Sequence, residues 1–117
     1  MEVLIIKNVD ADSLISQHAA KICSSTVLQK LTLLGIGLTS LATLPLLEAL
    51  INNNSIQVLD ISCNPTLSTG LQCDRVGPAL ERLLVTNQNI KELVMSGGTL
   101  DEQLIQYLII GLQRNTG

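Results

Sequence analysis

Apolar residues recur along this chain in four places with the spacing L-x-x-L-x-L. The four sets are Met1, Leu4 and Ile6; Leu28, Leu31 and Leu33; Ile56, Leu59 and Ile61; and Ile90, Leu93 and Met95. Residues two apart point to the same face of a strand, so each set predicts a short strand with one buried face. The central leucines follow one another at steps of 27, 28 and 34 residues. A period of this length predicts a repeated unit of strand and helix.

The helix half of each unit emerges when positions are counted backward from the next strand. Ten residues before it stand His18, Leu46, Leu80 and Leu108; six before it Ile22, Leu50, Leu84 and Leu112; and three before it Ser25, Asn53, Asn87 and Asn115. Within one unit, Leu46, Ala49, Leu50 and Asn53 have the spacing of one helical stripe. The sequence therefore predicts a single domain over residues 1–117, with units of about 1–27, 28–55, 56–89 and 90–117.

Polar residues mark the ends of the predicted helices. Short polar side chains cap the first turn of a helix, and the candidates are Asp10, Asp12 and Ser13 for the first helix, Thr39 or Ser40 for the second, and Thr99 with Glu102 for the fourth. Asparagine tolerates the left-handed conformation that stops a helix. Asn53, Asn87 and Asn115 are therefore predicted to adopt it at three helix ends.

These residues resemble the ribonuclease-inhibitor-like class of leucine-rich repeats over essentially the whole chain. The best matches are the segments LQKLTLLGIGL, EALINNNSIQVLDISCN and LIIGLQRNTG. The resemblance implies an α/β fold: a curved solenoid of about four repeats, with a parallel sheet on the concave side and helices on the convex side. It also implies a role as a protein-binding surface or scaffold. The usual asparagine after the strand occurs only as Asn64, so no continuous asparagine ladder is expected at that turn.

Composition narrows the class of protein further. Hydrophobic residues make up 46% of the chain but Tyr107 is its one aromatic residue, so the core is expected to be aliphatic. A formal charge of −3, with scattered basic residues, argues against a nucleic-acid surface. Cys23, Cys63 and Cys73 match no metal or redox spacing, and Cys23 is expected to be a buried free thiol. A reducing, cytoplasmic location without membrane insertion is the expectation.

Catalytic motifs are weak in this sequence, and we predict no catalytic residue, no cofactor and no metal site. Gly35-Ile36-Gly37 with the later Asp60 is reminiscent of a dinucleotide site, but Ser40 stands where the third glycine is required. The minor alternative of a nucleotide-binding enzyme rests on this stretch alone. His18 is the only histidine and falls in a column of leucines, so a structural role is expected.

The surface holds the candidate functional residues, which we predict to bind a protein partner. The outward positions of the four strands share the sheet face opposite the helices, and they are Val3, Ile5 and Lys7; Lys30, Thr32 and Leu34; Val58, Asp60 and Ser62; and Glu92, Val94 and Ser96. The third unit carries about six extra residues, which predict an insertion on its strand-to-helix side. The candidate residues there are Leu71, Gln72, Cys73, Asp74 and Arg75.

The first hypothesis is thus a non-catalytic protein-protein interaction module that uses the sheet face, the insertion, or both. The alternative is a structural subunit that self-associates or docks end-on in a larger assembly. It rests on a strand edge at Leu4 to Ile6 and an apolar flank at Tyr107 to Leu112, neither of which has a polar cap.

Overall fold

A strand followed by a helix occurs four times in the computed structural model, which describes residues 2–67, 69–70, 73–97 and 102–114. The elements in chain order are β1 (Glu2–Lys7), α1 (Asp12–Ile22), β2 (Leu28–Leu34), α2 (Ser40–Leu50), β3 (Val58–Asp60), α3 (Val76–Thr86), β4 (Glu92–Val94) and α4 (Glu102–Arg114). A short 3₁₀ turn, Cys73–Arg75, leads into α3. The protein is therefore α/β, as the alternating periodicities predict.

The strands form one parallel sheet in the order β1-β2-β3-β4. Leu4 pairs with Leu31, Leu31 with Leu59, and Leu59 with Leu93, so the central leucines of the four predicted strands stand in one column. Each helix connects one strand to the next strand in the sheet, always in the same direction. Right-handed connections of this kind place every helix on one face of the sheet. The other face, here called the open face, carries no helix in the described part of the chain.

The core lies between the helices and the sheet and is aliphatic. Leu31, Leu33 and Leu59 of the strands and Leu46 and Leu50 of α2 are fully buried in one cluster. Burial falls away in the two outer units. His18 is exposed and Leu112 is 63% exposed, although their counterparts in the second unit are buried. The physical reason is that an outer helix has a neighbouring helix on one side only.

The prediction of helix caps is confirmed for α2. The Thr39 side chain accepts a hydrogen bond from the Leu41 backbone N–H and caps α2. The prediction for α1 is wrong, because Ala11 occupies the capping position and no side chain caps that helix. The Asp12 carboxylate instead accepts bonds from the Thr39 N–H and hydroxyl at 2.7 and 2.8 Å, which ties the first unit to the second. Thr99 lies outside the described residues.

Asn53 and Asn87 do not adopt the left-handed conformation predicted for them, and only Asn8 and Cys63 do so among the described residues other than glycine. Their side chains bridge units instead. The Asn53 side chain donates to the Cys23 and Ser25 carbonyls and accepts from the Ser55 and Ile56 N–H groups.

The Asn87 side chain repeats this arrangement one unit later. Its amide donates to the Leu50 and Asn53 carbonyls, and its oxygen accepts from the Asn89 and Ile90 N–H groups. Buried backbone groups need such partners, so the helix-to-strand turns depend on these two amides. Asn115 lies outside the described residues.

The chain turns in the same way at the end of each strand. The residue four positions after each central leucine has a left-handed backbone: Asn8 (φ 61°), Gly35 (φ 61°), Cys63 (φ 59°) and Gly97 (φ 69°). The N–H groups of Asn8, Gly35 and Cys63 donate to the carbonyls of Leu34, Ser62 and Ser96, respectively. Each acceptor immediately precedes the left-handed residue of the next unit. One backbone geometry therefore recurs with three different residue types.

No helix in the described part of the chain is long and apolar enough to cross a membrane.

Replacing Asn53 by alanine should lower the free energy of unfolding by about 1–3 kcal/mol, because the buried Ile56 N–H and Cys23 carbonyl lose their partner. The matched control is Asn54→Ala, since Asn54 is exposed next to Asn53. Urea titration of the three proteins gives the comparison. Equal losses for both variants would contradict a bridging role for the Asn53 amide.

Replacing Cys63 by glycine should stabilise the chain. A side chain in the left-handed region costs about 1–2 kcal/mol, and glycine gives back about 0.5–1 kcal/mol of that through its greater freedom when unfolded. A net gain of up to about 1.5 kcal/mol in urea is therefore the expected result, with Cys73→Gly, in an exposed 3₁₀ turn, as control. A loss of stability on Cys63→Gly would show that the thiol side chain contributes more than the strain removes.

Candidate functional site

The open face of the sheet consists of three rows of side chains that run across the strands. Strand pairing aligns the first row as Val3, Lys30, Val58 and Glu92, and the second as Ile5, Thr32, Asp60 and Val94. The third row begins with Lys7 and Leu34 and continues beyond the paired segments to Ser62 and Ser96. Parallel pairing in register therefore brings ten of the twelve residues predicted for this face side by side.

These residues differ in how much of each side chain reaches solvent. Val3, Ile5, Lys7, Glu92 and Ser96 are exposed. Another set is half-buried by its neighbours across the strands: Lys30, Leu34, Val58, Asp60 and Val94. Thr32 and Ser62 are buried, with 7% and 2% of their surface accessible, so they add almost nothing that a partner could touch.

Charge divides the open face into two halves. Lys7 and Lys30 lie on β1 and β2, whereas Asp60 and Glu92 lie on β3 and β4. The strands of a sheet are about 4.8 Å apart, so β1 and β4 are separated by about 14 Å across the face. Half-buried Leu34 and Val58 lie between them. The face therefore has a basic side and an acidic side, with aliphatic side chains on all four strands and with Thr32 and Asp60 at its middle.

Hydrogen bonds hold the acidic side in place. Asp60 accepts a bond from the Ser62 backbone N–H at 3.0 Å, which fixes the carboxylate over the end of β3. The Ser62 hydroxyl accepts from the Ser96 N–H at 2.9 Å and lies 3.1 Å from the Ser96 hydroxyl. This part of the face is thus ordered before any partner arrives, which lowers the entropic cost of binding.

The insertion of the third unit lies between β3 and α3. Cys73, Asp74 and Arg75 form the exposed 3₁₀ turn, and Leu71 and Gln72 lie outside the described residues. The insertion folds back on the second unit, because the Thr69 carbonyl accepts a bond from the Ser40 N–H at 2.7 Å. Its charged residues line a groove of about 360 Å³ between α2 and α3, together with Glu48 and Arg82.

Three N–H groups of the glycine turn after β2 already have acceptors within the protein. The Gly35 N–H donates to the Ser62 carbonyl, and the N–H groups of Ile36 and Leu38 both donate to the Asn64 side chain. Gly37 approaches the Asp10 carboxylate so closely that a Cβ there would lie 3.3 Å from its oxygen. A dinucleotide site needs unoccupied donors and low negative charge at such a turn. We therefore do not propose one.

The three cysteines are free thiols in different surroundings. Cys23 is buried, as its apolar neighbours predict, and burial raises the pKa of its thiol to about 12. Cys63 and Cys73 are exposed. Among the described residues, no group of three or more histidine, cysteine, aspartate or glutamate side chains is placed to hold a metal ion.

Sequence reasoning missed two features of the site. The division of charge between strand pairs was present in the aligned columns, but only the strand order shows that the basic strands are neighbours and the acidic strands are neighbours. The burial of Thr32 and Ser62 carried no sequence signal, because it depends on the side chains beside them.

Comparison with known proteins returned no match: no protein-family model, no curated protein and no solved structure is similar to this chain.

Alkylation of the native chain with iodoacetamide at mildly alkaline pH should modify Cys63 and Cys73 and leave Cys23 unmodified. The thiolate is the reactive form, and a pKa near 12 together with burial suppresses it at Cys23. Mass spectrometry of tryptic peptides reads out each site, and the chain unfolded in guanidinium serves as the control in which all three react. Equal rates in the native chain would show that Cys23 is accessible.

Proposed function

We propose that this chain is a leucine-rich-repeat module of the ribonuclease-inhibitor-like class, non-catalytic, that binds a protein partner through the open face of its sheet. The observation that carries the proposal is the open face itself, which combines aliphatic side chains on all four strands with a basic and an acidic side. Exposed aliphatic side chains beside charged ones are common in protein-binding sites.

Three repeated geometries support the leucine-rich-repeat part of the proposal. The leucine column runs through all four strands, and the left-handed turn recurs after each of them. The third is the residue three positions before each of the second, third and fourth units, whose side chain accepts a hydrogen bond from the first residue of that unit. Ser25, Asn53 and Asn87 accept bonds there from the N–H groups of Leu28, Ile56 and Ile90. Units that repeat in this way stack into the continuous core of a solenoid.

The charge pattern indicates the chemistry of the partner. A protein with acidic side chains placed over Lys7 and Lys30, and basic side chains over Asp60 and Glu92, would match the face in sign on both sides. Complementarity of this kind favours one orientation of the partner and speeds its association. Exposed Val3 and Ile5 would supply apolar contact area next to the basic side.

The exposed turn Cys73–Arg75 offers a second contact, because loops beside a rigid scaffold commonly bind partners. Three cysteines that form no disulfide suit a reducing compartment, and the proposal places the chain in the cytoplasm.

Affinity capture from source-cell lysate with the native chain and two charge-swapped variants tests the proposal. The open-face variant carries Lys30→Glu and Glu92→Lys, and the control carries Lys21→Glu and Glu48→Lys on the helix side. Both variants keep the formal net charge of −3. Proteins captured by the native chain and the control should fall by at least about tenfold with the open-face variant, because like charges placed together cost several kcal/mol.

Circular dichroism of each variant establishes that it is folded before capture. Equal capture by all three folded proteins would exclude the open face, and a loss with the control alone would direct attention to the groove beside the insertion turn, which Glu48 lines.

A further inference from the structure

The turn between α2 and β3 contains an acceptor sequence for N-linked glycosylation. Such a sequence is asparagine, any residue except proline, then serine or threonine, and Asn53, Asn54 and Ser55 satisfy it. The chain has one other triplet of this form, which begins at Asn64, but Pro65 at its middle position excludes it. Asn53 is therefore the residue of this sequence that an oligosaccharyltransferase can modify.

In the fold, the nitrogen that would carry the glycan is enclosed. Only 5% of the surface of Asn53 is accessible. Its Nδ2 donates hydrogen bonds to the Cys23 carbonyl at 2.8 Å and to the Ser25 carbonyl at 3.3 Å. A side-chain amide has two hydrogens on this nitrogen, so both of them are engaged.

Geometry excludes a sugar in place of either hydrogen. A single C–N bond is about 1.45 Å long, so the first carbon of the sugar would lie less than about 3 Å from the carbonyl oxygen that now accepts the hydrogen bond. Non-bonded heavy atoms are in favourable contact at about 3.5–4.0 Å, and a closer approach of carbon to oxygen is repulsive. A glycan is therefore accommodated only if the Asn53 amide leaves both carbonyls.

The serine of the acceptor sequence is engaged as well. The Ser55 hydroxyl, which the acceptor sequence requires, donates to the Ser25 carbonyl at 2.8 Å. The Asn53 oxygen accepts from the Ile56 N–H at 2.7 Å. Withdrawal of the amide would thus release the end of the first unit and the start of the third together, and would leave buried backbone groups without partners.

Before the chain folds, the same amide is accessible. Asn53 is synthesised before β3 and α3, which form the third unit. A repeat unit is stable only when its neighbours are stacked against it. Because N-linked glycans are added to chains as they are made, a transferase would meet Asn53 before the bridging bonds form.

We propose that N-glycosylation of Asn53 and folding of this chain exclude one another, so that the fold forms only where this modification is absent. In the modification, Nδ2 of Asn53 forms a bond to the first carbon of an oligosaccharide carried on a polyprenyl pyrophosphate. The bond from that carbon to the pyrophosphate oxygen breaks, the lipid pyrophosphate leaves with the bonding electrons, and the amide loses one proton. The product amide keeps one hydrogen and cannot serve two carbonyls.

This inference concerns the conditions under which the chain folds and not what it binds. It therefore goes beyond the proposed function and does not depend on it. It also favours a compartment without N-glycosylation on grounds that are independent of the three free cysteines.

Cell-free translation of the full chain, preceded by a cleavable signal sequence, in the presence of endoplasmic-reticulum microsomes tests the proposal. Part of the native chain should gain one glycan, seen as a gel band that peptide N-glycosidase removes. After detergent release, trypsin should digest the glycosylated fraction at least about tenfold faster than the unmodified fraction of the same sample, because cleavage follows the population of unfolded chain. The comparison is made within one sample and does not depend on whether a variant folds.

A matched control moves the acceptor by one residue. Asn54→Ser together with Ser55→Ala abolishes the acceptor at Asn53 and creates one at Asn52, which is exposed. Both fractions of this variant should resist trypsin equally. Ser55→Ala alone has no acceptor and should give a single unmodified band, which measures the effect of losing the Ser55 hydroxyl by itself.

Two results would overturn the proposal. Equal resistance to trypsin of the two native fractions would show that the fold bears a glycan at Asn53. A native chain that receives no glycan would show that Asn53 is not an acceptor before folding. Neither result bears on partner capture by the open face, which is measured on the unmodified chain.

Discussion

Each unit of this protein buries the backbone where a strand meets a turn, and those buried polar groups must find hydrogen-bond partners. Asparagine side chains at the two ends of the strands supply many of them. Asn64 donates to three carbonyls, those of Leu33, Ile61 and Ser62, and accepts from the Ile36 and Leu38 N–H groups. Asn53 and Asn87 bind backbone groups at the opposite end, where the strands begin. These amides hold the chain on either side of the leucine columns of the core.

The same constraint explains why the open face is a credible binding surface. Strands held at both ends and backed by buried leucines do not rearrange freely, so the side chains on the other face keep their relative positions. Lysines on one pair of strands and carboxylates on the other then form a stable pattern instead of a fluctuating one. A partner that matches the pattern meets it already ordered, which removes the cost of ordering this side of the interface.

The sequence by itself determined the parts of this protein that depend on short spacings. Apolar residues two positions apart predicted where the strands lie. The regular steps between Leu4, Leu31, Leu59 and Leu93 predicted that these leucines would stand side by side in the sheet, as they do. The lack of large aromatic residues predicted the aliphatic core, and Thr39 was recognisable as a cap. The open face followed as well, because inward and outward positions alternate along any strand.

Only the tertiary structure decided contacts between units. Asp12 binds Thr39, which is 27 residues away, and Asn87 binds Leu50, which is 37 away. The column containing Asn53 and Asn87 was visible in the sequence, but its role was not, since an asparagine side chain caps, turns or bridges according to which backbone groups lie within reach. The left-handed backbone of Cys63 and the burial of Thr32 were likewise decided by the tertiary structure. Their conformation and burial depend on neighbours that the sheet brings together, and no local spacing encodes those neighbours.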